Sequence, residues 1–372
     1  MKRKSLISGI RVSRALHGFT SSRAAYRQCI RRFFACCALM LATIGLLNYV
    51  IDPLWLFSHS HALNRRQAKI DERQQKANQL SYGNRDFDAI LLGSSRCTFI
   101  SHYDFKGYSL YNLSADAMLP KEYYEYIEFA AKQSRPGLKL IVLGLDFYAT
   151  NENFLGYGQR NPQDYFLAAK SLSYRIGSLI AFDTLRYSIT NIYKSLSPPA
   201  GIYYSRDNVK LLTPAAKKYR QLAVQENLRV YREKRYGTNY RYKDLTAILG
   251  AIRQANPGVR IVAFTTPTSR PLWELLLEQG RLDDYCRWIG DIVASFGEVY
   301  NFMGINSVTA NPDNYNDGHH FYPHVGTLIA HRILSIPDPR LSDDFGQHIT
   351  SANLDRFVSE VKLRNSKEFK LE

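Results

Sequence analysis

Eighteen consecutive residues, Phe33 to Val50, carry no formal charge, and the 32 residues before them contain nine Lys or Arg and no acid. At 1.5 Å per helical residue the run is about 27 Å long, close to the hydrocarbon thickness of a bilayer. Apolar residues continue through Leu54, Trp55, Leu56 and Phe57, past Asp52-Pro53. Tyr49 and Trp55 suit the far interface, where amphipathic rings settle. A cleaved signal peptide has a shorter apolar region and a small-x-small cleavage site, neither of which is evident. A buried core helix would not follow so abrupt a change from all-basic to uncharged sequence. The pattern predicts one membrane-spanning anchor at 33–57 behind a basic cytoplasmic tail, 1–32. By the positive-inside rule the remainder lies across the membrane.

This partition also accounts for much of the charge. The net +16 contains nine positive charges from the tail, which leaves seven for the other 340 residues. Nucleic acid is the other partner that positive charge serves, but no basic-aromatic module or zinc spacing accompanies it, and nucleic acid is not an expected partner. Of five cysteines, Cys97 and Cys286 alone fall beyond the anchor, and both are expected to be free. Residues 58–87 are polar, without an apolar run, and read as a stalk.

After the stalk, short apolar runs alternate with helical patterns. Strands are predicted at Asp88–Leu92, Tyr108–Leu113, Leu138–Leu143, Val259–Phe264 and Glu298–Phe302. Helices are predicted at Lys121–Gln133, Tyr240–Gln254, Leu282–Ser295 and Pro323–Leu334. Fully apolar short strands between helices imply βαβ units. The expected fold is therefore α/β, a doubly wound parallel five-stranded sheet over 88–340, with one N-terminal transmembrane helix. Pro136-Gly137 and Pro257-Gly258 turn the chain back into strands. A helical insertion at 147–239 interrupts the domain, with helices expected at Gln163–Ile180 and Pro214–Arg235. Its many tyrosines are read mainly as its own core, with a substrate role for a few near Tyr148–Tyr157. A charged tail, 341–372, is read as peripheral.

Ligands of such sheets sit at the carboxyl ends of strands. There stand Gly93-Ser94-Ser95-Arg96, after the first strand, and Gly144-Leu145-Asp146, after the third. Far downstream, Asp317-Gly318-His319-His320 precedes the last helix. A serine hydroxyl is a weak nucleophile until an imidazole accepts its proton, and the imidazole needs a carboxylate to hold its tautomer. Each motif alone has a plain structural reading: small residues permit a tight βα turn, and an Asn/Asp/His loop caps a helix. Together they suggest Ser95 as nucleophile, His320 as general base and Asp317 as its orienting partner. His319, His320 and His324 could instead hold zinc, but Pro323 starts the helix there and no second ligand cluster is evident, so no metal is expected.

These motifs resemble those of the SGNH/GDSL hydrolase superfamily, in its membrane-anchored bacterial branch. The likeness covers about 88–146 and 240–334 and the anchor ending in Asp52-Pro53. Gly93-Ser94-Ser95 stands at the nucleophile motif, and Asp317 with His320 at the final one. The resemblance implies a bacterial inner-membrane protein with one pass and a periplasmic serine esterase or acyltransferase domain. It implies an acylated cell-envelope glycan or lipid as substrate, an acyl-donor membrane protein as partner and no cofactor. It also implies an oxyanion hole, and two of its motifs depart from the pattern here. Ala117, within Asn112-Leu113-Ser114-Ala115-Asp116-Ala117, takes the place of a glycine whose N–H donates. Asp146 takes the place of an asparagine whose amide donates, and an ionised carboxylate cannot donate. Asn112 and Asn151 are candidate substitutes, and a protonated Asp146 is another. The rival reading is a catalytically silent scaffold or accessory protein of an envelope-polymer assembly.

Overall fold

The computed structural model describes residues 11–368 except 84, 85 and 159. Residues 1–10 of the expected basic tail and 369–372 of the C-terminal tail lie outside the described residues. The first element of the described residues is one helix, α1 (Arg11–Ile51), 41 residues long. Its segment Arg23–Ile51 is long and apolar enough to cross a membrane or to act as a signal sequence, and 11% of its most apolar stretch is buried. Asp52 stops it. Its φ of +49° is left-handed, and Pro53 follows. The carboxylate then accepts from the N–H groups of Leu56 at 2.7 Å and Phe57 at 3.0 Å and pairs with Arg206 at 2.7 Å. The exit from α1 is thereby tied to a turn some 150 residues downstream.

The stretch read as a stalk is instead folded into the domain. It contains α2 (Glu72–Tyr82), capped by Asp71 and buried from Glu72 through Leu80 although nearly every side chain is polar. Those side chains are absorbed by ion pairs and hydrogen bonds, a pattern that no count of apolar residues reveals.

The remaining elements, in chain order, are β1 (Ala89–Leu92), β2 (Leu110–Asn112), α3 (Pro120–Gln133), β3 (Leu140–Leu145), α4 (Pro162–Lys170), α5 (Leu172–Ile180), α6 (Phe182–Leu196), β4 (Ile202–Tyr204), β5 (Lys210–Leu212), α7 (Lys217–Lys234), α8 (Thr246–Ala255), β6 (Arg260–Thr265), α9 (Arg270–Glu278), α10 (Leu282–Phe296), β7 (Glu298–Asn301), α11 (Pro323–Ile333), β8 (Gln347–Thr350) and α12 (Leu354–Glu368). The main sheet has the order β2-β1-β3-β6-β7-β8, and β4 and β5 form a separate antiparallel pair. Pairing is parallel from β2 to β7. Along β1, Ile90 and Leu92 enter one core and Ala89 and Leu91 the other, the period-2 alternation of a strand covered on both faces.

The sheet therefore has six strands, not five. The added strand, β8, pairs antiparallel with β7 and comes from the tail read as peripheral. It is short and largely polar, and Ile349 is its one buried residue. An edge strand of that kind leaves almost no hydrophobic signal. In the insertion the expected Gln163–Ile180 helix is two, α4 and α5, broken at Ser171, whose side chain caps the second by accepting from Tyr174 N–H. Helices α6 and α9 and the β4–β5 hairpin are further additions to the expected elements.

Candidate active site

The turn after β1 can form only because Gly93 lacks a side chain. A Cβ there would stand 2.3 Å from Cys97 Sγ, and one on Gly144 at the end of β3 would stand 2.2 Å from the same sulfur. Cys97 plugs the gap between the two strand ends, and the turn it anchors presents Ser95. On the other side, the loop before α11 carries Asp317 and His320.

These stretches meet. Ser95 Oγ lies 2.8 Å from His320 Nε2, across 225 residues of sequence. His320 Nδ1 lies 2.7 Å from Asp317 Oδ2. The other Asp317 oxygen accepts from the backbone N–H of His320 at 2.8 Å and of His319 at 3.2 Å. Burial alone would raise the Asp317 pKa. The charge and hydrogen bond of His320 outweigh burial and hold the carboxyl well below the usual carboxylate range. Asp317 is thus a fixed anion behind the imidazole. With Nδ1–H donating to Asp317, Nε2 is free to accept the serine proton.

A cavity of about 230 Å³ opens over Ser95 and His320. Its walls include Arg96, Ala117, Tyr148, Tyr157, Tyr231 and His319. Tyr148 and Tyr157, two of the tyrosines given a substrate role, are therefore at the cavity, whereas Tyr165 and Tyr204 are buried in the core.

Ala117 has φ +46°, a backbone region that glycine adopts freely and alanine seldom does. The conformation expected of the motif's glycine is kept although the residue is changed. Among the described residues, neither the Ser95 nor the Ala117 N–H has a hydrogen-bond partner. Both are available to a ligand. The peptide units on both sides of Asp116 are held from α2: Arg73 Nη1 donates to Asp116 O at 2.8 Å, and Glu72 Oε2 accepts from Asp116 N–H at 2.8 Å. Arg73 is in turn fixed by a two-point pair with Glu122, at 2.9 and 3.0 Å. Glu72 also pairs with Lys210 at 2.9 Å and accepts from Tyr204 OH at 2.6 Å. Lys210 donates to Thr98 Oγ1 at 2.9 Å, and Thr98 donates to the Ser95 carbonyl. One buried network therefore braces both the serine turn and the Ala117 turn. Burial would raise the Glu72 pKa, but the charges of Lys210, Lys76 and Lys69 keep it strongly depressed.

Three residues expected at the oxyanion hole, Asn112, Asn151 and Asp146, are not walls of the cavity. Asn112 is buried with its amide donating to the carbonyls of Cys97 and Ile100, both at 2.9 Å, and its oxygen accepting from Ser114 N–H. It shapes the serine turn and has no donor left over. Asn151 likewise is not a wall of the cavity, and its amide donates to Arg235 O at 3.0 Å. Asp146 is not a cavity wall. It is the counter-ion of Arg96, at 2.8 Å, and accepts from Thr266 Oγ1. Arg96, 1% exposed, also donates to Tyr231 OH at 2.7 Å and lies over the Tyr148 ring. A position where asparagine would donate is thus occupied by an ion pair whose cationic member borders the cavity. Arg96 is adjacent to Ser95, but its partner is 50 residues away, and only the sheet brings the two together.

Asp317, His319 and His320 place ligand-type atoms within 4.8 Å of one another. Both His320 nitrogens and an Asp317 oxygen are committed to the serine relay, so an ion there would compete with it. His324 is turned to Asn314 Oδ1, at 2.9 Å.

No protein-family model matches the chain, and no curated protein does. Among solved structures it is similar to a Streptococcus pneumonia protein provisionally described as a platelet activating factor. The identity is 10% and the TM-score 0.37, over 71% of this chain and 90% of that one. A likeness at that score carries no argument, and the reading of the site stands on its own geometry.

Proposed function

We propose that the chain is a membrane-anchored serine esterase or O-acyltransferase of SGNH type, acting through an acyl-enzyme on Ser95. The observation that carries this reading is the unbroken relay from Ser95 Oγ through His320 to Asp317, with both links under 3 Å. His320 Nε2 takes the hydroxyl proton as Oγ attacks the ester carbonyl. The N–H groups of Ser95 and Ala117 receive the developing oxyanion, and the buried Arg96 cation favours that charge. Collapse of the intermediate breaks the ester C–O bond, and His320 returns its proton to the leaving alcohol. Water or a glycan hydroxyl then attacks the acyl-Ser95 ester by the same steps in reverse. The chemistry requires no cofactor. The small cavity suits a short acyl group, since drug-sized ligands occupy about 300 Å³ or more.

The anchor and its basic flank support a single pass through a bacterial inner membrane with the domain periplasmic, and an acylated envelope glycan or lipid as substrate. An acyl-donor membrane protein as partner belongs to the same reading. Alkaline phosphatase fused after residue 60 is active in that topology and inactive in the opposite one.

The test of the chemistry is a fluorophosphonate probe on the full-length chain in detergent. Labelling that vanishes in Ser95→Ala supports the enzyme. The Arg96–Asp146 pair, where an amide donor is expected, favours a second reading as a silent scaffold of an envelope-polymer complex. Folded wild-type protein that takes no label would favour that reading.

A further inference from the structure

Helix α6 is amphipathic in the reverse sense for a helix that faces water. Its buried stripe is Thr184, Ser188, Asn191 and Ser195. Its outward stripe includes Phe182, Ile189, Tyr193 and Leu196, each more than half exposed. The inward groups are satisfied: Ser188 Oγ donates to Asn48 Oδ1 at 2.8 Å, and Asn191 Nδ2 donates to Gln67 Oε1 at 2.7 Å. On α5, Leu172, Ile176 and Ile180 recur every fourth residue and are each at least half exposed. The other exposed residues of that helix, Ser173 and Gly177, are uncharged. A helix on a water-facing surface turns its apolar stripe inward, whereas polar-in and apolar-out is the arrangement stable in hydrocarbon.

The position of these helices agrees. Both pack on the last turns of α1. Asn48 Nδ2 of α1 donates to Leu179 O at 2.7 Å, and Gly45 lies against Ile180. Leu46 and Tyr49 of α1 remain exposed beside them. The outward stripes of α5 and α6 therefore extend the apolar surface of α1. At 15 residues α6 is about 22 Å long, too short for a hydrocarbon core of about 30 Å, and α5 is shorter still. Asp183 and Arg186, the charged residues exposed on α6, lie in its first two turns beside Asn48, three residues and about 5 Å short of the end of α1, where the headgroup layer begins.

We propose that α5 and α6 form a hairpin immersed in the leaflet where α1 ends, and that the occupant of their outward face is lipid acyl chain. This rests on the reading of α1 as membrane-spanning. The test is photolabelling of the full-length chain in nanodiscs of phosphatidylethanolamine and phosphatidylglycerol that carry a diazirine on the acyl chain, with adducts mapped by peptide mass spectrometry. Expected are adducts within 172–196 at a frequency comparable with α1 and well above Tyr219 and Leu222. Those two residues of α7 are just as exposed and serve as the soluble-face control. Adducts on α1 with α5 and α6 at the control level would overturn the inference and leave the anchor intact. Labelling absent from α1 as well would overturn the membrane-spanning reading, and this inference with it.

Discussion

Asp146→Asn separates two accounts of the same position. On the family resemblance alone the change restores an amide donor, so the variant should react faster. The structure predicts a loss of stability instead, and no added donor, because Asp146 is not a wall of the cavity. Asp146 and Arg96 are a buried pair, with side chains 2% and 1% exposed, and Thr266 also donates to the carboxylate. Removing the negative charge leaves a guanidinium in the core with no counter-ion, and breaking such a pair costs about 3–5 kcal/mol. The amide oxygen still accepts from Arg96, which puts the cost near the lower end, about 3 kcal/mol. At about 2–4 °C per kcal/mol for a domain of 150–250 residues, Tm should fall by about 6–12 °C. Thermal melts of the full-length protein in detergent measure this, with fluorophosphonate labelling rates alongside. Replacing both partners, Arg96→Met with Asp146→Leu, should recover most of the lost stability, because no unpaired charge is left behind. An Asp146→Asn protein that melts with the wild type, or that labels faster, would refute the reasoning.

Three further outcomes are expected. Asp317→Asn should lower the acylation rate by about 10⁴ while folding is kept, because the imidazole loses the anion that fixes its tautomer; labelling kinetics within tenfold of wild type would exclude the assigned role. Arg73→Lys keeps a positive charge beside Glu122 but cannot hold that carboxylate at two points and also donate to Asp116 O. Labelling should slow towards the 10²–10³ loss of a misplaced oxyanion donor with little change in Tm, and an unchanged rate would show that the Ala117 turn holds itself. His319 is held well below its ordinary pKa, by burial first and by the neighbouring His320 charge second. The unfolded chain, with its ordinary value of about 6.5, then binds more protons, so this contribution to stability is full above about pH 7 and falls as pH drops through 6.5. His319→Gln should therefore lose less stability than wild type between pH 7 and pH 5, and parallel slopes would dismiss the idea.

The parts of this molecule that were legible in sequence are those written in apolar spacing. The runs at Ile90–Leu92, Ile141–Leu143 and Ile261–Phe264 announced a covered parallel sheet, and strand exits marked where Ser95 would stand. The pairing of Ser95 with His320 and Asp317 was readable because proton transfer constrains residue type strongly. What stayed hidden is held by polar groups. Helix α2 has no hydrophobic stripe, so its Glu72 and Arg73 read as solvated tether, whereas they brace the turns that carry Ser95 and Ala117. Asn112 carried the right chemistry for an oxyanion donor, but its hydrogen bonds are consumed locally, a matter of orientation that residue type does not encode. The sixth strand is not legible in the sequence because an edge strand with one buried residue makes almost no pattern.

The clasp between Asp52 and Arg206, together with the incorporation of α2, has a mechanical consequence. On the proposed reading no slack cord joins α1 to the crevice over Ser95, so the serine hydroxyl would work at a set height above the bilayer and could not swing outward to search. Acceptors would then have to be brought to that level, by a lipid-borne carrier or by a neighbouring protein of matching stature, and lengthening the leash would require undoing the fold itself.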